Sequence, residues 1–163
     1  SLAVEAAQLL GIDEEYIRIG LEAARNIGRF EKISDSPLVI FDGAHNVSGT
    51  EALISALNRY FPDEKISVIY ASMADKDIDA SLRLLKENGF CRRAKIFTVP
   101  VKDNPRAQTP EKLASQFERF GFEAMPCGDI DTAYELAIKE QSVILLCGSL
   151  YLYKDFAEYT KKI

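Results

Sequence analysis

Leu38-Val39-Ile40-Phe41-Asp42-Gly43-Ala44-His45-Asn46 decides the fold. Four consecutive apolar residues suit a short strand buried on both faces. The acid, the glycine and the polar pair that follow end it. A helical stripe comes next, with Leu53, Ile54, Leu57 and Phe61 on one face, and Ser48 with Glu51 has capping-box spacing at its start. Strand, polar loop and amphipathic helix form the first half of a parallel crossover unit.

The unit recurs outward from this stretch. Further apolar runs are Ile66–Tyr70, Lys95–Val99, Phe122–Met125 and Val143–Leu146, and from Leu38 onward the runs begin 28, 29, 27 and 21 residues apart. Each interval holds one strand, one crossover helix and two loops. Ile78, Leu82 and Leu85 share a helix face, as do Leu113, Phe117 and Phe120, and then Ala133, Leu136 and Ala137. Thr109-Pro110 places a cap before a proline at the first helical position, and Asp77 suits a cap as well. Asn88-Gly89 and Gly121 are stop signals. Tyr153 to Lys162 reads as a closing helix with Phe156 and Tyr159 on one side. The class is therefore α/β, a Rossmann-like, mostly parallel sheet flanked by helices on both faces. Residues 1–27 differ: they read as two short helices, with stripes Leu2, Ala6, Leu9, Leu10 and Ile17, Leu21, Ala24, separated by Gly11-Ile12-Asp13.

Composition narrows the function. The 163 residues allow one ordinary domain, or one domain plus a piece of another, but not two full domains. At 47% hydrophobic and 28% charged the chain reads as globular. Lys and Arg number 20 against 25 Asp and Glu, and the resulting charge of -5 argues against a nucleic-acid partner. No apolar run approaches the roughly 20 residues needed to span a bilayer, so no membrane partner is expected. The start at Ser1-Leu2-Ala3 is no signal peptide, and the lack of an initiator Met suggests a cut or processed chain. Cys91, Cys127 and Cys147 are unpaired in pattern and accompany a single His, so reduced, mostly buried thiols are expected and a metal site is not.

Parallel sheets bind ligands beyond the carboxyl ends of their strands, so the loops there carry the chemistry. Asp42 to Asn46 can hydrogen-bond a ribose or hold a phosphate at a helix N-terminus; the same letters equally suit an ordinary turn and cap. Asp75 and Lys76 fit a solvated helix start. Arg106, in Asn104-Pro105-Arg106, is a possible anion ligand. Gly148 and Ser149 can present backbone N–H groups and a hydroxyl to a carboxylate or phosphate. No G-x-x-x-x-G-K-[ST], G-x-G-x-x-G or G-x-S-x-G pattern occurs.

Gly28-Arg29-Phe30-Glu31, the Leu38–Asn46 block, Asp75-Lys76-Asp77, Asn104-Pro105-Arg106-Ala107 and Cys147-Gly148-Ser149-Leu150-Tyr151-Leu152 together make the chain resemble the C-terminal domain of folylpolyglutamate synthase/dihydrofolate synthase, in the Mur ligase superfamily. The resemblance implies an ATP-dependent amide ligase. ATP phosphorylates a folate carboxylate, and the amine of L-glutamate attacks the acyl phosphate. It also implies that residues 1–27 are the last helices and hinge of a preceding ATPase domain, and 28–163 the Rossmann-like ligase domain, inactive alone. Magnesium ligands would lie in the preceding domain. By position, Arg29 would reach ATP phosphates, Asp42 and His45 would contact the nucleotide with His45 beside the chemistry, and Ser149 would meet the glutamate carboxylate. Where the family usually reads W-P-G-R, this chain has Asn26-Ile27-Gly28-Arg29. A monomeric, cytoplasmic enzyme is implied. Other readings are a peptidoglycan-precursor ligase domain and a receiver-like or nucleotide-binding module with Asp42 as its regulatory acid. A receiver would need a lysine late in the sheet, where Cys147-Gly148-Ser149 stands.

Overall fold

In a computed structural model, which describes residues 2–24 and 26–160 (the side chains of 158–160 excepted), six strands form one sheet. They are β1 (Glu31–Asp35), β2 (Leu38–Asp42), β3 (Ile66–Tyr70), β4 (Ala94–Thr98), β5 (Glu123–Pro126) and β6 (Val143–Cys147). The spatial order is β1-β2-β6-β3-β4-β5. β1 runs antiparallel to β2, and every other pairing is parallel. The helices are α1 (Leu2–Leu9), α2 (Glu14–Ala23), α3 (Val47–Tyr60), α4 (Asp79–Glu87), α5 (Pro110–Arg119), α6 (Ile130–Lys139) and α7 (Tyr151–Thr160).

Alternation within each apolar strand divides the core into two layers. Ile40, Val68, Ile96 and Leu145 face Leu53 and Leu57 of α3, Leu82 of α4, and Leu113 and Phe117 of α5. Val39, Phe41, Ile69, Phe97, Ile144 and Leu146 face Ala133 and Tyr134 of α6, and Leu152 and Phe156 of α7. The expected helix stripes are these buried residues, with Phe61, Leu85, Phe120 and Leu136 half-buried at the margins. Tyr159, expected beside Phe156, has its side chain outside the described residues, as do Lys161 and Lys162. The three cysteines are free thiols; Cys127 and Cys147 are buried and Cys91 is half-buried.

Several expectations need correction. β1 is an additional strand. Its one apolar residue, Ile33, is half-buried, and the strand is held by backbone pairing to β2 with an irregularity between Lys32 and Ser34. The fourth apolar run is not a doubly buried strand: β5 lies at the sheet edge, where Glu123, Met125 and Pro126 are exposed. A charged, proline-ended strand suits an edge because it discourages further pairing. The cap of α3 is Asn46, whose side chain accepts from Gly49 N–H, so Ser48 lies inside the helix. Ile78, not Asp77, holds the cap position of α4, and Asp77 accepts instead from Asp79 N–H. Thr109 caps α5 as expected. Helices α1 and α2 have no buried residue.

Candidate functional site

The site follows from where the chain reverses. From β2 it crosses to β3 through α3 on one face, while β6 leads into α7 on the other. β2 and β6 are neighbours, so their exit loops diverge and leave a crevice, the usual ligand position in such sheets. Gly148 N–H donates to Ala44 C=O at 3.0 Å and ties the two loops. Gly148 is obligatory: its φ is +91°, and a Cβ there would meet Ala71 C=O at 2.4 Å and the Tyr70 ring at 2.5 Å.

The ends of β2, β3 and β6 carry buried polar groups. Asp42 is buried, and its two oxygens divide between two backbone donors, Phe30 N–H and Ala44 N–H, each at 2.8 Å. Each oxygen keeps a second lone pair for a ligand. Cys147, the partner of Asp42 on β6, is buried, and so is Tyr70, the partner of Cys147 on β3. Burial, and secondarily the Asp42 carboxylate, pushes the Cys147 thiol far up. Burial likewise raises the Tyr70 phenol, with Cys147 adding to the rise and a hydrogen bond from Ser72 opposing it. Both groups are neutral at pH 7.

His45 is exposed at the start of α3, its Nδ1 2.8 Å from Gly43 C=O. A carbonyl can only accept, so Nδ1 carries a proton and Nε2 is left to a ligand. Ser149 is buried before α7, and its Oγ accepts from Tyr151 N–H at 3.3 Å. Its own proton remains to donate beside the positive end of the helix. His45, Lys76, Asn104, Arg106, Ser149 and Tyr151 line a cleft of about 250 Å³. The next two strand-end loops are joined at its mouth. Ala74 N–H donates to Arg106 C=O, Gln108 N–H to Ser72 C=O, and Arg106 pairs with Asp75 at 2.6 Å. That hydrogen bond holds the Asp75 carboxyl below its ordinary value.

The structure thus gathers His45, Arg106 and Ser149 around one cleft. Asp42 does not line it, and Arg29 sits exposed on the turn preceding β1. Gly43 N–H donates to Gly28 C=O at 2.7 Å, and Leu150 covers both glycines. Sequence reading assigned no role to Glu31, Leu150 or Tyr153; the first lay in plain view within the Gly28–Glu31 block. Among the described residues no cluster of three or more His, Cys, Asp or Glu could hold a metal, and no helix is long and apolar enough to cross a membrane.

Residues 28–150 match the family described as Mur ligase, glutamate ligase domain. The folylpolyglutamate synthase of Lacticaseibacillus casei is 34% identical over 93% of this chain and 35% of its own length. The solved structure of E. coli FolC in complex with DHPP and ADP superposes with a TM-score of 0.79 at 26% identity, over 99% of this chain and 37% of that one. Mycobacterium tuberculosis folylpolyglutamate synthase, complexed with ADP and AMPPCP, gives a TM-score of 0.75 at 26% identity over 89% and 35%. The chain spans about a third of the length of these relatives. It belongs to the Mur ligase, glutamate ligase domain family.

Proposed function

We propose that the chain is the closing half of an ATP-dependent folate:glutamate ligase, a folylpolyglutamate synthase that works through an acyl phosphate. The observation that carries this reading is the cleft beyond the strand ends, where His45, Arg106 and Ser149 from the loops after β2, β4 and β6 line one space within the family-matched residues. The ADP and AMPPCP complexes of the relatives support a nucleotide as one substrate. Residues 1–27 then end the ATPase domain, which supplies the phosphate-binding loop and the magnesium ligands. The protein is monomeric and cytoplasmic in this reading.

On closure, Arg29 offers a fixed-charge fork to the phosphates and stabilises charge as the phosphoryl group moves to the folate carboxylate. Asp42 anchors the loop backbone on both sides of the nucleotide and accepts from it with its remaining lone pairs. His45 donates to a phosphate oxygen from Nε2–H, which requires the ring to carry a proton on both nitrogens because Nδ1–H is already given to Gly43 C=O. Ser149 O–H donates a hydrogen bond to the carboxylate of glutamate, whose neutral amine attacks the acyl carbon of the acyl phosphate; the C–O bond to phosphate breaks, inorganic phosphate leaves, and the amine's proton passes to it or to solvent. Closure also keeps water from that intermediate.

The test is enzymatic. The 163-residue chain alone should not consume ATP with folate and glutamate, whereas the full-length protein should form ADP and a glutamylated folate. Arg29→Ala in that protein should reduce kcat/KM by about 10²–10³, the loss of one charge-stabilising donor. Turnover by the chain alone, or by the full-length protein only with a peptidoglycan precursor, would overturn the reading. A receiver-like role would show as Mg²⁺ with a phosphoryl mimic shifting Asp42 resonances in the isolated chain.

A further inference from the structure

Arg29 sits in a turn that should not hold its shape unaided. Gly28 has φ +75° and Phe30, an aromatic residue, has φ +45°. A bulky residue in the left-handed region persists only where its surroundings over-determine it. Those surroundings are specific. Gly28 N–H donates to Glu31 Oε2 at 2.8 Å, Gly28 C=O accepts from Gly43 N–H, and Phe30 N–H donates to Asp42 Oδ2. The Phe30 ring lies 5.7 Å from that of Tyr60 and 6.3 Å from that of Phe61, at the end of α3. Each residue flanking Arg29 is therefore held by its own carboxylate.

Glu31 has a second attachment. Its Oε1 accepts from Tyr153 Oη–H at 3.2 Å, across 122 residues of chain. Tyr153 is fixed in turn by an edge-on contact with Phe41, ring centroids 5.1 Å apart at 84°. Burial, then the hydrogen bond to Glu31, raises the Tyr153 phenol, so it keeps the proton it donates. Glu31 thus spans from the turn to α7, the helix that begins beside Ser149.

We propose that Glu31, braced by Tyr153, is a positioning residue for Arg29: it locks the Gly28–Phe30 turn to the sheet and to α7, so that the guanidinium travels with the domain as a fixed part. The proposal rests on the reading of Arg29 as a phosphate ligand. A long side chain aimed at a transferring phosphoryl group works only from a fixed backbone, because a displacement of about 1 Å costs about a hundredfold in rate.

Two measurements test it. In the 163-residue chain, amide hydrogen exchange followed by NMR should show Gly28 N–H exchanging about tenfold faster in Glu31→Ala, and faster also in Tyr153→Phe, which keeps the ring on Phe41. Ile69 and Leu145, in the core strands, should be unchanged and so report an intact fold. Unchanged exchange at Gly28 overturns the latch. In the full-length protein, Glu31→Ala should lower kcat/KM for ATP about tenfold or more, while Glu31→Gln should restore it, since its amide oxygen still accepts from Gly28 and its NH₂ can donate to Tyr153 Oη. The Glu31→Ala loss should vanish in an Arg29→Ala background. An equal loss in both backgrounds overturns positioning through Arg29. A full-length wild type that ligates no glutamate overturns the functional reading, and with it the catalytic role; the exchange experiment then still decides whether the latch exists.

Discussion

Asp42 serves two backbone donors with two oxygens, Phe30 N–H on one side and Ala44 N–H on the other. An asparagine has the same shape but only one oxygen. In Asp42→Asn one of the two amides would face an NH₂ group and lose its acceptor in a buried site, which costs about 1–3 kcal/mol. Urea unfolding of the variant should show that loss; a value within 0.5 kcal/mol of wild type would mean that water replaces the missing acceptor. At the ends of β6 and β3, the Cys147 thiol and Tyr70 phenol have ordinary values near 9 and 10, and the fold raises both. Their contribution to stability is therefore complete below pH 9 and is lost as the pH rises from there toward the folded-state values, because the unfolded chain ionises first. Each group adds a slope of about 1.4 kcal/mol per pH unit in that window. The melting temperature should fall above pH 9, and Tyr70→Phe should make the fall shallower.

Helices α1 and α2 expose Leu2, Leu9, Leu10 and Tyr16 and bury nothing. Their removal should leave the folding free energy of the remainder unchanged to within about 0.5 kcal/mol, measured by urea unfolding of a chain beginning at residue 24. A larger loss would show that they brace the sheet. The other elements differ in how far the sequence disclosed them. The doubly buried strands β2, β3, β4 and β6 were legible because burial on both faces demands an unbroken apolar run. β1 was not, because an antiparallel edge strand is held by its backbone and Glu31-Lys32-Ile33-Ser34-Asp35 has one apolar residue. Phe122–Met125 misled in the opposite direction: Phe122 is buried, but the strand it leads into is an exposed edge. At the site, composition pointed to His45 and Ser149, since a lone His or a Gly-Ser at a strand end is conspicuous. It could not show that Asp42 also accepts from Phe30 N–H, or that Arg106 pairs with Asp75, because those bonds join residues 12 and 31 positions apart.

For the whole molecule, the sheet order matters most. β6, residues 143–147, lies between β2 and β3, and no strand bond joins β2 to β3 directly. A chain ending before Val143 would hold two separate sheets, β1-β2 and β3-β4-β5, each with an open edge where β6 belongs. It should show no cooperative unfolding transition by circular dichroism; a sigmoidal melt would mean that one of the halves folds independently. The crevice has the same dependence, since β6 supplies Gly148 and Ser149 at its end.

That insertion has a consequence for how the protein is made. On the ribosome the middle of the sheet emerges only after every strand that must pair with it. The earlier strands leave the exit tunnel with bare pairing edges and wait for it, a long-range closure that is slow and prone to aggregation. Synthesis therefore completes sheet and crevice in a single event, and a nascent chain interrupted before that event holds no half-built crevice, only unpaired strands for a chaperone to shield.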